Sequence, residues 1–162
     1  MYMMYSMYMA RRMERPMTTK ERITSVTRYD SMKNARDHFS QMLTTAEEGN
    51  VAVVSRQGKV SALVEIGRLR LLLAHIIRPH DPQVVRENGN WVAYLPGLPL
   101  AVEEPDLDTA ITALIEAMRE YAADWQDHLH SALNHRGNTD FVQFVELSTD
   151  EQLREWLTAA EQ

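Results

Sequence analysis

The chain has 162 residues, enough for one ordinary domain or two small ones, and no cysteine, which excludes disulfides, thiolate metal sites, iron–sulfur clusters and a cysteine nucleophile. No apolar run reaches the about 18 residues that a membrane-spanning helix needs. The net charge of −6 is unevenly spread: residues 1–80 carry 13 Lys and Arg against 7 Asp and Glu, and residues 81–162 carry 4 against 16, which points to an anionic partner such as nucleic acid for the first half and a basic partner for the second.

Residues 1–17, MYMMYSMYMARRMERPM, hold seven of the ten methionines. Arg11, Arg12 and Arg15 follow the apolar stretch rather than precede it, the wrong order for a secretory signal. Residues 1–20 read as a tail or a mis-assigned start, with Met17 opening a more ordinary protein; a basic arm reaching DNA is the other reading.

The run Ile23-Thr24-Ser25-Val26-Thr27 predicts a short strand. Asp30 and Ser31 are capping types ahead of Met32, Ala35, Phe39, Met42, Leu43 and Ala46, whose spacing predicts one helix with one apolar face. Gly49 stops it. Val51 to Ser55 and Lys59 to Val64 predict a hairpin around Gln57-Gly58. Arg68 to Ile77 predicts a strongly apolar helix, and Pro79 and Pro82 mark a boundary. Halves this small bury little surface alone, so dimerisation is expected, through that helix or the hairpin.

Gln83 to Glu87, Asn88-Gly89 and Trp91 to Leu95 predict a second hairpin, although Asn90 lengthens its loop in one reading. Leu100 to Glu103 predicts a third strand. Asp106 or Asp108 caps a long helix that runs through Trp125 and as far as about Leu133. Phe141 to Leu147 reads as an alternating strand, and Ser148-Thr149-Asp150-Glu151 as a capping box before a helix from Gln152 to Ala160. Trp91, Tyr94 and Trp125 read as core residues.

Residues 22–74 resemble the Phd/YefM antitoxins of bacterial toxin–antitoxin pairs. The resemblance rests on Ile23-Thr24-Ser25-Val26, Asn34-Ala35-Arg36-Asp37-His38-Phe39-Ser40, Glu48-Gly49-Asn50 leading into Val51 to Ser55, Arg56-Gln57-Gly58-Lys59 and Ser61-Ala62-Leu63-Val64. The stretch Arg28 to Lys33 is longer than the family pattern. Residues 82–147, with Asn88 to Pro99 and then Asp108-Thr109-Ala110, are similar to the HicB-like antitoxin fold, although Leu100-Ala101-Val102 replaces the usual Gly-Cys.

Together the resemblances imply an α+β protein. Its parts would be a β-α-β-β-α dimerisation and DNA-binding domain over 21–78, a HicB-like β-β-β-α-β unit over 82–147 and an amphipathic helix over 148–162. They imply an antitoxin, a homodimer or higher oligomer without membrane attachment, cytoplasmic, that represses its own operon at operator DNA and neutralises a cognate protein toxin. The alternative is a ligand-sensing or purely oligomerising regulator with no toxin.

Lys20, Arg22, Arg28, Lys33, Arg36, Arg56 and Lys59 are the candidate phosphate contacts, and Asn34 and Arg36 are able to read base edges. Arg36 and Arg56 stand at positions matching the family motif. A toxin that handles RNA must carry cations, so an acidic surface can cover them. Glu103, Glu104, Asp106 and Asp108, with the helix from Asp150 to Glu161, supply that acidity. Leu153, Trp156 and Leu157 offer an apolar anchor.

Enzymatic readings find little. His128, His130 and His135 lack a carboxylate spaced to complete a metal site, and Asp124 and Asp127 alone make none. No GxSxG, HExxH or phosphate loop is present. No catalytic residue, metal or cofactor is expected.

Overall fold

The computed structural model describes residues 26–77 and 82–159. Arg22, the 1–20 segment and the Ile23–Ser25 part of the expected first strand lie outside the described residues. The chain divides into two units, Met1–Leu63 and Val64–Gln162.

In the first unit, the β-branched run Val51–Arg56 is the central strand, β2. It pairs in parallel with β1 (Val26–Tyr29) and antiparallel with β3 (Lys59–Leu63). Gln57 (φ 48°) and Gly58 (φ 78°) form the two-residue hairpin turn, whose successive left-handed conformations match strand twist. The expected single helix is two: α1 (Met32–Asp37) and α2 (Phe39–Glu47). His38 breaks them apart with φ −120° and ψ 23°, and its Nδ1 lies 2.9 Å from the Asn34 carbonyl oxygen. Ser31 caps α1 by accepting from the Asn34 N–H. Tyr29, Ala35, Met42 and Ala52 form the small core under these helices.

The second unit begins with α3 (Ile66–Ile76), capped by Glu65, whose carboxylate accepts from the Gly67 and Arg68 N–H groups. Those two hydrogen bonds, Gly67 first, hold the Glu65 carboxyl below its ordinary range. The domain boundary expected at 78 put this helix with the first half. Its Leu73 and Ile77 instead join the core of the second unit.

Strands β4 (Gln83–Glu87), β5 (Asn90–Leu95) and β6 (Leu100–Glu104) form an antiparallel meander. Asn88 (φ 49°) and Gly89 (φ 93°) make a two-residue turn, so Asn90 already belongs to the strand. Helix α4 (Leu107–Asp127) lies over β5 and β6. It buries Ala110, Ile111, Leu114, Ile115, Met118, Tyr121 and Ala122 on Ala93, Leu95 and Leu100. It ends at Asp127, short of the expected Leu133, and two short 3-10 turns follow at Leu129–Ser131 and Arg136–Asn138.

The strand expected over Phe141 to Leu147 is a helix, α5 (Thr139–Glu146). Phe141, Val142, Phe144 and Val145 are all buried, and they recur at one, three and four residues, the spacing of a helical face. The segment read as alternating, but its apolar residues follow the helical period and pack against α4 and α3. The closing strand of a β-β-β-α-β unit is therefore absent from this segment. Helix α6 (Asp150–Thr158) has its capping box one residue later than expected, between Thr149 and Gln152.

Arg119 of α4 staples the turn between α5 and α6. Its guanidinium donates to the Val145 carbonyl at 2.6 Å, the Ser148 carbonyl at 2.7 Å and the Asp150 carboxylate at 2.7 Å. Arg119→Ala is expected to cost about 2 kcal/mol, because two helix-end carbonyls lose a charged donor. Trp91, Trp125 and Trp156 all lie in this unit, so tryptophan emission reports its melting alone. An unchanged melting curve would show that water replaces the staple without loss.

Candidate functional site

The described candidate residues are spread over both units, and in neither unit do all of them share one surface. In the first, strand alternation and register put Tyr29, Ala52, Val54, Arg56, Lys59, Ser61 and Leu63 on the sheet face that carries the helices. Arg28 is exposed on the opposite face. Lys33 and Asn34 are exposed on α1. Arg56 and Lys59 are register partners on either side of the hairpin turn.

Arg36 and Arg56 come together, 20 positions apart in sequence, on one groove of about 660 Å³. Met32, Ala35, Phe39, Met42, Val54 and Ser61 complete its lining. The Arg36 side chain is 76% exposed, with the Asp37 carboxylate 3.7 Å away. Both arginines can therefore swing toward an anionic ligand at small desolvation cost.

The apolar face expected of the first helix is left partly uncovered at the same groove. Met32 is 50% exposed and Phe39 55%; outside the groove, Leu43 is exposed on α2, and Val60 on the opposite face of the sheet. The apolar stripe of α1 and α2 is wider than the unit's own core can cover. Its breadth was visible in the spacing of apolar residues. Which members would stay uncovered was not, because that depends on the break at His38.

In the second unit, Glu103 accepts from Asn90 Nδ2 at 2.8 Å on the sheet face away from α4. Glu104 is half-buried on the other face. Asp106 caps α4 by accepting from the Thr109 hydroxyl and, at 2.9 Å, from its N–H. Those bonds, the hydroxyl first, hold its carboxyl below the ordinary range, so it stays ionised near neutral pH.

The expected apolar anchor turns inward. Leu153 (0% exposed) and Leu157 (1%) are core residues. Trp156 packs its ring 5.1 Å from that of Phe144. These leucines follow the inner stripe of an amphipathic helix, and the outer stripe is Glu151, Arg154, Glu155 and Thr158. That outer stripe faces the first turns of α4. Arg154 donates to Asp108 Oδ1 at 2.6 Å and to Thr112 Oγ1 at 2.6 Å. Two acidic segments more than 40 positions apart thereby share one groove of about 510 Å³, lined also by Leu107 and Ile111.

His130 and His135 serve packing, and His128 is exposed beside Asp127. The His135 ring nitrogen lies 2.9 Å from the Tyr121 hydroxyl, and the His135 carbonyl accepts from Trp125 Nε1. His130 stacks edge-on against Trp125. Among the described residues, no three His, Asp or Glu side chains gather as a metal site, and no helix is long and apolar enough to cross a membrane.

A family model described as PHD-like, antitoxin of toxin–antitoxin, RelE/RelB, TA system, matches residues 27–140. No curated protein matches the chain. A crystal structure from Syntrophomonas wolfei subsp. wolfei, described as the antitoxin part of a proposed toxin/antitoxin system, is similar in fold. Its TM-score is 0.64 at 19% identity, over 81% of this chain and 94% of that one.

Proposed function

The chain belongs to the PHD-like family of antitoxins of toxin–antitoxin systems, and from that premise we propose that its two units divide the work of a self-repressing antitoxin. The first unit, Phd/YefM-like, forms a homodimer and binds operator DNA in the cytoplasm. The second unit covers the cationic surface of a cognate protein toxin with its acidic face.

One observation carries this reading: the first unit's groove is lined by the cations Arg36 and Arg56, and the second unit's groove by three carboxylates against one cation, Arg154. Arg36, Arg56 and Lys59 cluster on the first unit. Asp108, Glu151 and Glu155 cluster on the second. An anionic ligand and a basic protein can therefore be held without competing for one surface. The uncovered Met32, Phe39 and Leu43 of α1 and α2 support dimerisation, since a second copy would bury them and enlarge a core of few residues. Arg28, Lys33 and Asn34 extend the cationic and polar surface available to phosphates and base edges.

The test is growth rescue. Each small open reading frame that flanks this gene is expressed from one promoter and this chain from another. Growth arrest by the first and recovery with the second is the expected result. Arrest that continues when both accumulate would overturn the neutralising role.

A further inference from the structure

We infer that Asn88-Gly89, the turn between β4 and β5, is a site of spontaneous covalent modification, at which Asn88 converts to aspartate and isoaspartate with release of ammonia. The inference is independent of the antitoxin reading.

The chemistry is intramolecular. The Gly89 main-chain nitrogen, on losing its proton, attacks Asn88 Cγ and expels the side-chain nitrogen as ammonia. The new N–Cγ bond closes a five-membered succinimide. Water then opens the ring. Attack at Cγ gives aspartate. Attack at the Asn88 main-chain carbonyl carbon gives isoaspartate, whose main chain runs through the former side chain and is one methylene longer. Nothing is oxidised or reduced, and water is the only co-reactant.

The structure leaves this turn open to that reaction. Asn88 and Gly89 are both exposed. Among the described residues the Asn88 amide makes no hydrogen bond, and the Gly89 N–H donates to no main-chain carbonyl. Glycine has no Cβ to shield its nitrogen, and even a Cβ built on Gly89 would meet nothing within 4 Å. A hairpin end opens locally at low cost, which lets the side chain reach that nitrogen.

The other five asparagines are each held back. Asn34 and Asn134 precede N–H groups already donated, Ala35 to Ser31 and His135 to Ala132, both at 3.0 Å. Asn90 and Asn138 donate their side-chain N–H groups to Glu103 Oε1 at 2.8 Å and Tyr121 Oη at 2.6 Å. Asn50 precedes the β-branched Val51, which crowds the nitrogen.

Both products add a carboxylate beside Glu87. Isoaspartate also lengthens a two-residue turn closed by the Glu87–Asn90 pair, and hairpin register depends on loop length.

The experiment incubates the full chain at mildly alkaline pH in water enriched in heavy oxygen, then maps its peptides by mass spectrometry. Asn88 is expected to convert at least about tenfold faster than any other asparagine, a difference set by the barrier to ring closure. The product should carry one heavy oxygen and be labelled by an isoaspartyl methyltransferase. Chains bearing isoaspartate are expected to melt about 4–8 °C lower by tryptophan emission. Asn88→Asp carries the added charge without the longer main chain, and should melt close to the wild type.

Conversion of Asn88 no faster than that of the other asparagines would overturn the inference, as would a product without heavy oxygen. Isoaspartate-bearing chains that melt with the wild type would overturn the effect on the hairpin. An Asn88→Asp chain that melts equally low would assign the loss to charge and overturn the role of the longer main chain.

Discussion

A chain ending at Gly137 is expected to lose its second folded unit, not only a binding tail. The cut removes α5 and α6. With them go Phe141, Val142, Phe144, Val145, Leu153 and Leu157, all buried in one core with α4 and the sheet. Burying a side chain of this kind contributes about 1.5–3 kcal/mol, so six represent roughly 9–18 kcal/mol as an upper bound. That is comparable to the about 5–15 kcal/mol by which a whole domain is stable. Trp91 and Trp125 remain in the shortened chain and report the result. Red-shifted emission without a cooperative melt is expected. A sharp transition at the wild-type temperature would show that α4 and the sheet fold without α5 and α6. Neutralisation is therefore better dissected with the exposed carboxylates of α6 than by truncation.

Replacing Arg36 and Arg56 together by alanine is expected to weaken operator binding by about a hundredfold and to flatten its salt dependence. Each phosphate neutralised contributes about −0.9 to the slope of log affinity against log salt, so two per chain lower a dimer's slope by up to about 4. The fold should survive, because Arg36 projects into solvent and Arg56 ends an edge hairpin. Salt-dependent titration against the DNA upstream of the gene measures this, with sedimentation to establish that the oligomer is unchanged. An unaltered slope would move the DNA surface away from this groove. Arg28 would then lead, on the opposite sheet face.

Much of the architecture was legible because it is local. Strands β2 and β3 and the glycine turn between them follow from β-branched runs around residues that tolerate positive φ. The Asn88-Gly89 hairpin and the long amphipathic α4 follow in the same way. The segment from Phe141 to Leu147 failed because its composition favours a strand and its spacing favours a helix. Only the surfaces offered by α3 and α4 decide between them. Leu153, Trp156 and Leu157 failed as an anchor for a related reason. An amphipathic helix shows that one stripe will be covered, not whether its own chain or a partner covers it.

By itself, then, the sequence determined the period of most elements, the caps of α1 and α4 and the partition of charge between the halves. These depend on neighbours within a few positions, or on composition. Tertiary structure alone decided that Arg36 joins Arg56, that Asp108 joins Arg154, and that Met32 and Phe39 stay uncovered while Leu153 and Leu157 do not. Those outcomes depend on which faces meet across long stretches of chain. Helical and strand periods specify which side chains share a face, but the faces pair through the burial of the whole unit.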